Sequence, residues 1–174
     1  MQKIKYLFEF YYCPQMILKS QKFNSFKYYE LIILSVLYCL IHTRLFLINE
    51  LTIFNPALLI MISILSFCEK CLIRAGIIKL LTKTNIKYTN IFKTLTVSYI
   101  LIGIIVDIFN CIGQYYGFNI IEFSSIFVAA GVRIIYVIFI TIYYLKDVLK
   151  AQKWFLILYV LDACATSVII AVTL

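Results

Sequence analysis

Five stretches of the chain, at 29–48, 56–81, 91–111, 121–145 and 154–174, are strongly apolar and are separated by short polar or basic turns. About 20 apolar residues wound as an α-helix cross a hydrocarbon core some 30 Å thick. The rest of the composition leaves little alternative. Of 174 residues, 64% are hydrophobic and 14% are charged, whereas soluble domains hold roughly half and a quarter. The pattern predicts an all-α fold: an integral membrane bundle of about five transmembrane helices over residues 29–174, preceded by a cytoplasmic amphipathic segment over residues 1–28.

The basic residues set the orientation. Lys3, Lys5, Lys19, Lys22 and Lys27 precede the first stretch, Lys79, Lys83, Lys87 and Lys93 surround the turn after the second, and Lys146, Lys150 and Lys153 follow the fourth. The turns at 49–55 and 112–120 contain neither Lys nor Arg. Basic loops stay on the cytoplasmic side, so the N-terminus is expected there and the C-terminus outside. The same asymmetry accounts for the net charge of +8 without nucleic acid, because the aromatic residues lie in apolar runs and not in a basic groove. In residues 1–28, lysines alternate with Tyr6, Leu7, Phe8, Phe10, Tyr11 and Tyr12 around Pro14. That interleaving predicts a helix in the headgroup plane, its lysines on anionic headgroups of the bilayer and its aromatics below them.

Charges inside the apolar stretches are the candidate functional residues, because a buried charge in lipid is costly and is kept for a reason. Arg133 sits near the middle of the fourth stretch, and Asp107 and Asp162 are the acids of the third and fifth. These three predict an intramembrane charge network, with Asp162 the favoured partner of Arg133. Glu69, Lys70 and Arg74 form a second cluster toward the inner end of the second stretch. A helix over 56–81 is about 38 Å long at 1.5 Å per residue, so its inner end is expected to tilt or project from the hydrocarbon. Cys68 and Cys71 form a lone C-x-x-C, His42 is the only histidine, and no phosphate loop or nucleophile elbow occurs. No catalytic, cofactor-binding or metal-binding residue is therefore assigned, and the chain is expected not to be an enzyme.

Three segments carry a family resemblance. Phe10-Tyr-Tyr-Cys-Pro14 with the Lys-rich stretch after it is similar to the opening of short bacterial members of the Yip domain family, the Ypt/Rab-interacting-type membrane proteins. Arg74-Ala-Gly-Ile-Ile-Lys-Leu-Leu81 followed by Tyr88-Thr-Asn-Ile-Phe-Lys-Thr-Leu95 looks like that family's inner loop. Tyr143-Tyr-Leu-Lys-Asp-Val-Leu-Lys-Ala-Gln-Lys-Trp154 resembles the link before its last span. The resemblance implies five spans and a non-enzymatic scaffold or adaptor that organises other membrane proteins. The alternatives are a transport component whose intramembrane charges line an ion or proton path, and an accessory subunit of a larger complex of the organellar respiratory type. The expected location is a bacterial cytoplasmic membrane, with an organelle inner membrane as the alternative.

Overall fold

The computed structural model describes residues 2–47, 56–82, 84–116 and 119–173. They are all-helical, with no strand among the described residues. In chain order they form α1 (Gln2–Tyr12), α2 (Pro14–Lys19), a 3-10 turn (Lys22–Ser25), α3 (Tyr28–Leu47), α4 (Pro56–Thr82), α5 (Tyr88–Tyr116), α6 (Asn119–Ile140), a π-helical turn (Thr141–Lys146) and α7 (Lys153–Thr173). Among the described residues, one helical stretch, Tyr88–Phe109, is long and apolar enough to cross a membrane.

The long helices α3 to α7 follow the five apolar stretches. Pro56 opens α4, at a position where its missing N–H has no intrahelical partner to lose. The clearest departure is at the end of α5. Residues 112–116, expected in an outer loop, continue that helix. Gly113, assigned to the loop, is helical. A lone glycine costs a helix only about 1 kcal/mol relative to alanine, too little to end one flanked by Ile112 and Gln114. The turn at 48–55, Lys83 and residues 117–118 lie outside the described residues, as do the side chains of His42, Arg44, Cys68, Glu69, Lys70 and Cys111.

Helix α5 is the hub. It packs against α3, α4 and α6, while α3 packs on α4 and α7 is carried by α6. The core around it holds Leu95, Val97, Leu101, Ile140, Tyr144 and Leu145, and it also takes in Phe10, Ile17, Leu18 and Phe23 from the N-terminal segment. The N-terminal segment is thus packed into the bundle and is not one uninterrupted helix. Pro14 cannot continue α1, so the chain turns there and α2 starts on it. Gln21 takes a left-handed backbone conformation, φ 52°, and the chain runs back along α1. Phe23 returns to Phe10, ring centroids 5.6 Å apart, and Lys22 returns to Glu9 at 3.5 Å.

Ionic links fix this hairpin to the long helices. Lys3 Nζ lies 2.7 Å from Glu30 Oε2. The same carboxylate accepts the Lys27 N–H at 2.7 Å, which satisfies one of the orphan donors at the start of α3. Lys19 Nζ reaches Asp147 Oδ2, beyond the π-helical turn, at 2.8 Å. That contact holds the Asp147 carboxyl below the usual carboxylate range. Lys79 near the end of α4 donates to the carbonyls of Thr84 and Ile86 and so closes the turn into α5.

Candidate functional site

The charged residues inside the apolar helices form a seam that crosses the bundle. At one edge, Arg74 of α4 meets Asp162 of α7, with Nη2 to Oδ2 at 3.3 Å. The two side chains are 30% and 63% exposed, so the pair faces outward and is not sealed in the core. Exposed Leu72, Ile73 and Ile77 lie near it on α4, and Leu158 and Leu161 near it on α7. One turn before Asp162, Tyr159 lies within electrostatic reach of Arg74, Asp162, Cys71 and Arg133.

The other edge of the seam is buried. Tyr38 of α3 and Asp107 of α5 are 7% and 5% exposed. Tyr38 lies within electrostatic reach of Asp107, Tyr99 and Arg133. Its ring crosses α5 at Gly103, where a Cβ would fall 2.6 Å from Tyr38 Cζ and 2.7 Å from Cε2. Gly103 lies one turn before Asp107, so both occupy the same face of α5. The missing side chain at 103 is what lets the tyrosine lie along the turn that carries the acid. Arg133 on α6 lies within electrostatic reach of both Tyr38 and Tyr159.

Of the charges expected to form one network, Asp107 and Arg133 act on Tyr38, and Asp162 and Arg133 act on Tyr159. Asp162 pairs with Arg74. Arg74 leaves its expected cluster: it reaches across to α7, while the side chains of Glu69 and Lys70 are outside the described residues. The seam holds two arginines and two carboxylates, so its formal charge sums to zero. Sequence reasoning missed Tyr38, Tyr159 and Gly103. Tyrosines are common in these apolar runs and carry no individual signal. The one legible hint was a single glycine a helical turn before an acid in an apolar run.

Among the described residues no three His, Cys, Asp or Glu side chains converge to hold a metal ion. Cys13 and Cys164 are free thiols. No protein-family model, curated protein or solved structure matches the chain.

Proposed function

We propose that the chain is a five-span membrane protein with a cytoplasmic N-terminus, a Yip-like, non-enzymatic scaffold that binds other membrane proteins through the edge where α4 and α7 meet. One observation carries this reading: the Arg74–Asp162 ion pair is exposed among apolar side chains. Arg74 lies eight residues inside the end of α4, and Asp162 nine residues inside the start of α7. At 1.5 Å per residue Asp162 is about 14 Å inside α7, well within a core about 30 Å thick if α7 begins at its surface, and Arg74 meets it there. An ion pair open to lipid at that depth is costly. A neighbouring transmembrane helix with a polar side chain relieves the cost by hydrogen bonding. The host membrane on this reading is a bacterial cytoplasmic membrane, or alternatively an organelle inner membrane, with anionic headgroups against the lysine-rich face.

The test is copurification of the full chain in mild detergent. Arg74→Leu combined with Asp162→Leu removes both charges together. The variant should keep its helicity and lose the membrane proteins that accompany the wild type. Unchanged partners would show that this edge is not the docking site. A partner set that is a single large complex, without which the chain is unstable, identifies an accessory subunit instead.

A second reading draws on the continuity of the seam from Asp107 through Tyr38, Arg133 and Tyr159 to Asp162, which suits a proton or ion path. Proteoliposomes containing the wild type would then carry a proton flux that Asp107→Asn abolishes. Equal flux in both, at the level of empty vesicles, removes that reading.

A further inference from the structure

We propose that the N-terminal hairpin is re-entrant: it enters the cytoplasmic leaflet tip first, and acyl chains cover its outer face. The inference rests on the membrane reading above, and most directly on α5, the helix that contains Tyr88–Phe109.

Two contacts on α5 measure how far the hairpin climbs. Near its base, Lys93 Nζ donates to the Asn24 carbonyl at 3.3 Å. At its tip, the Tyr11 hydroxyl donates to the Leu101 carbonyl at 2.9 Å. Lys93 and Leu101 are eight residues apart on one helix, about 12 Å at 1.5 Å per residue. Helix α6 gives the same sense of depth. Phe10 stacks on Tyr136 at 5.6 Å, and the Tyr136 hydroxyl donates to the Tyr11 carbonyl at 3.5 Å. Tyr136 lies well inside α6, before the π-helical turn and the basic turn that follow. A helix lying in the headgroup plane would not reach the interior of both helices.

Charge is sorted along the hairpin in the same direction. Residues 10–18, which form the tip, carry no charged side chain. Lys3 and Lys5 lie toward the base of the outgoing leg, and Lys19 and Lys22 on the return leg. Lys19 lies over the Tyr143 ring at 5.4 Å and Lys22 over the Tyr6 ring at 4.9 Å; Lys22 also meets Glu9, the charged residue next to the tip, at 3.5 Å, so the charge nearest the tip is paired. One side of the hairpin packs into the bundle through Phe10, Ile17, Leu18 and Phe23. The other presents Ile4, Phe8, Tyr12 and Met16, which are 58%, 63%, 85% and 45% exposed. Ile4, Phe8 and Tyr12 recur every fourth residue along α1, an apolar stripe on the face away from the protein, and Met16 is exposed on α2 beyond the turn. An uncharged tip, lysines at the base and an apolar outer stripe match the polarity gradient of one leaflet from acyl chain to anionic headgroup. Backbone at that depth is tolerated because it is helical and packed on protein.

The experiment uses the full chain. Trp154 is its single tryptophan, so Trp154→Phe gives a dark background. Into it go Phe8→Trp on the outgoing leg, Met16→Trp on the return leg, and Leu158→Trp, exposed on α7, as the control for membrane insertion. Each variant is reconstituted into phosphatidylcholine–phosphatidylglycerol vesicles with and without bromine on the acyl chains. All three tryptophans should lose about half their emission or more in the brominated vesicles, and none should be quenched strongly by aqueous acrylamide. Quenching by bromine at Leu158→Trp alone, with acrylamide reaching the two hairpin positions, overturns the re-entrant hairpin and leaves the bundle in the membrane. Lack of bromine quenching at all three positions overturns the membrane reading and the hairpin with it. Circular dichroism matching the wild type identifies variants that have kept the fold, and the two hairpin positions check each other.

Discussion

A methyl group at Gly103 would sit 2.6 Å from Tyr38 Cζ, far inside van der Waals contact, and the ring it strikes is 7% exposed with little room to retreat. Overpacking a tight core of this kind costs about 1–3 kcal/mol. Gly103→Ala should therefore lower the melting temperature in detergent, even though alanine is the better helix former. Gly76 and Gly131 serve as internal controls, because a Cβ at either meets nothing within 4 Å. There the same substitution should be neutral or stabilising by about 0.5–1 kcal/mol. Combining Gly103→Ala with Tyr38→Ala should cost less than the two losses added, since the clash disappears with the ring. Strict additivity would show that Gly103 does not accommodate Tyr38. The ion pair allows a similar cycle. Arg74→Ala and Asp162→Asn should couple, by about 0.5–3 kcal/mol if the pair behaves like other residues in contact. Arg133→Ala and Asp162→Asn should couple less. Stronger coupling to Arg133 would restore the partnering that the sequence alone suggested.

At the scale of elements, the packing of residues 1–28 into the bundle is the part that sequence reasoning did not foresee, and the cause is physical. The ends of α3 to α7 are marked by Pro56, polar turns and lysines, all local signals. The path of residues 1–28 depends instead on long-range packing, Phe10 against Phe23 and Tyr136, which no local periodicity encodes. Pro14 was visible as an interruption, but the reversal also needs the left-handed Gln21 and the Lys22–Glu9 link. The same distinction applies to the seam. Its charges were legible one by one, and their depth could be ordered by counting residues. Their partners depend on how each helix is rotated about its axis, and helices apolar on all sides give no such direction. The Lys19–Asp147 link makes the hairpin sensitive to acid. Asp147 is held below its ordinary pKa, so its contribution is fully present above the unfolded carboxyl value of about 3.9. It is lost as the pH falls through the lower folded value. Hydrogen exchange at the α2 amides, corrected for the intrinsic pH dependence, should be level from pH 7 to 5 and rise below about pH 4. Asp147→Asn should remove the part of the rise that belongs to this link. An identical profile in that variant would assign the acid response elsewhere.

For the whole molecule, the lysines provide the axis. The structure gathers several at one end: Lys3 on Glu30 at the start of α3, Lys19 on Asp147 after α6, Lys79 across the turn between α4 and α5, and Lys93 on Asn24. These contacts tie four chain segments together at one end of the bundle, as the alternation of basic and uncharged turns along the sequence requires. If α3 to α7 all cross the membrane, the positive-inside rule puts this end in the cytoplasm. Even with one helix crossing, the sign of the two ends differs enough to orient it. Single cysteines in a cysteine-free background separate these cases. Cysteines replacing Asn49 and Gln114, on the side without lysines, should react in intact cells with a membrane-impermeant thiol reagent. Cysteines replacing Lys83 and Gln152 should react only after the cells are opened. Labelling at Gln114 with protection at Asn49 would leave α5 spanning but break the five-span arrangement at α3 and α4. Labelling of the cysteine at position 83 from outside would reverse the orientation and detach the lysine-rich end from the cytoplasmic face.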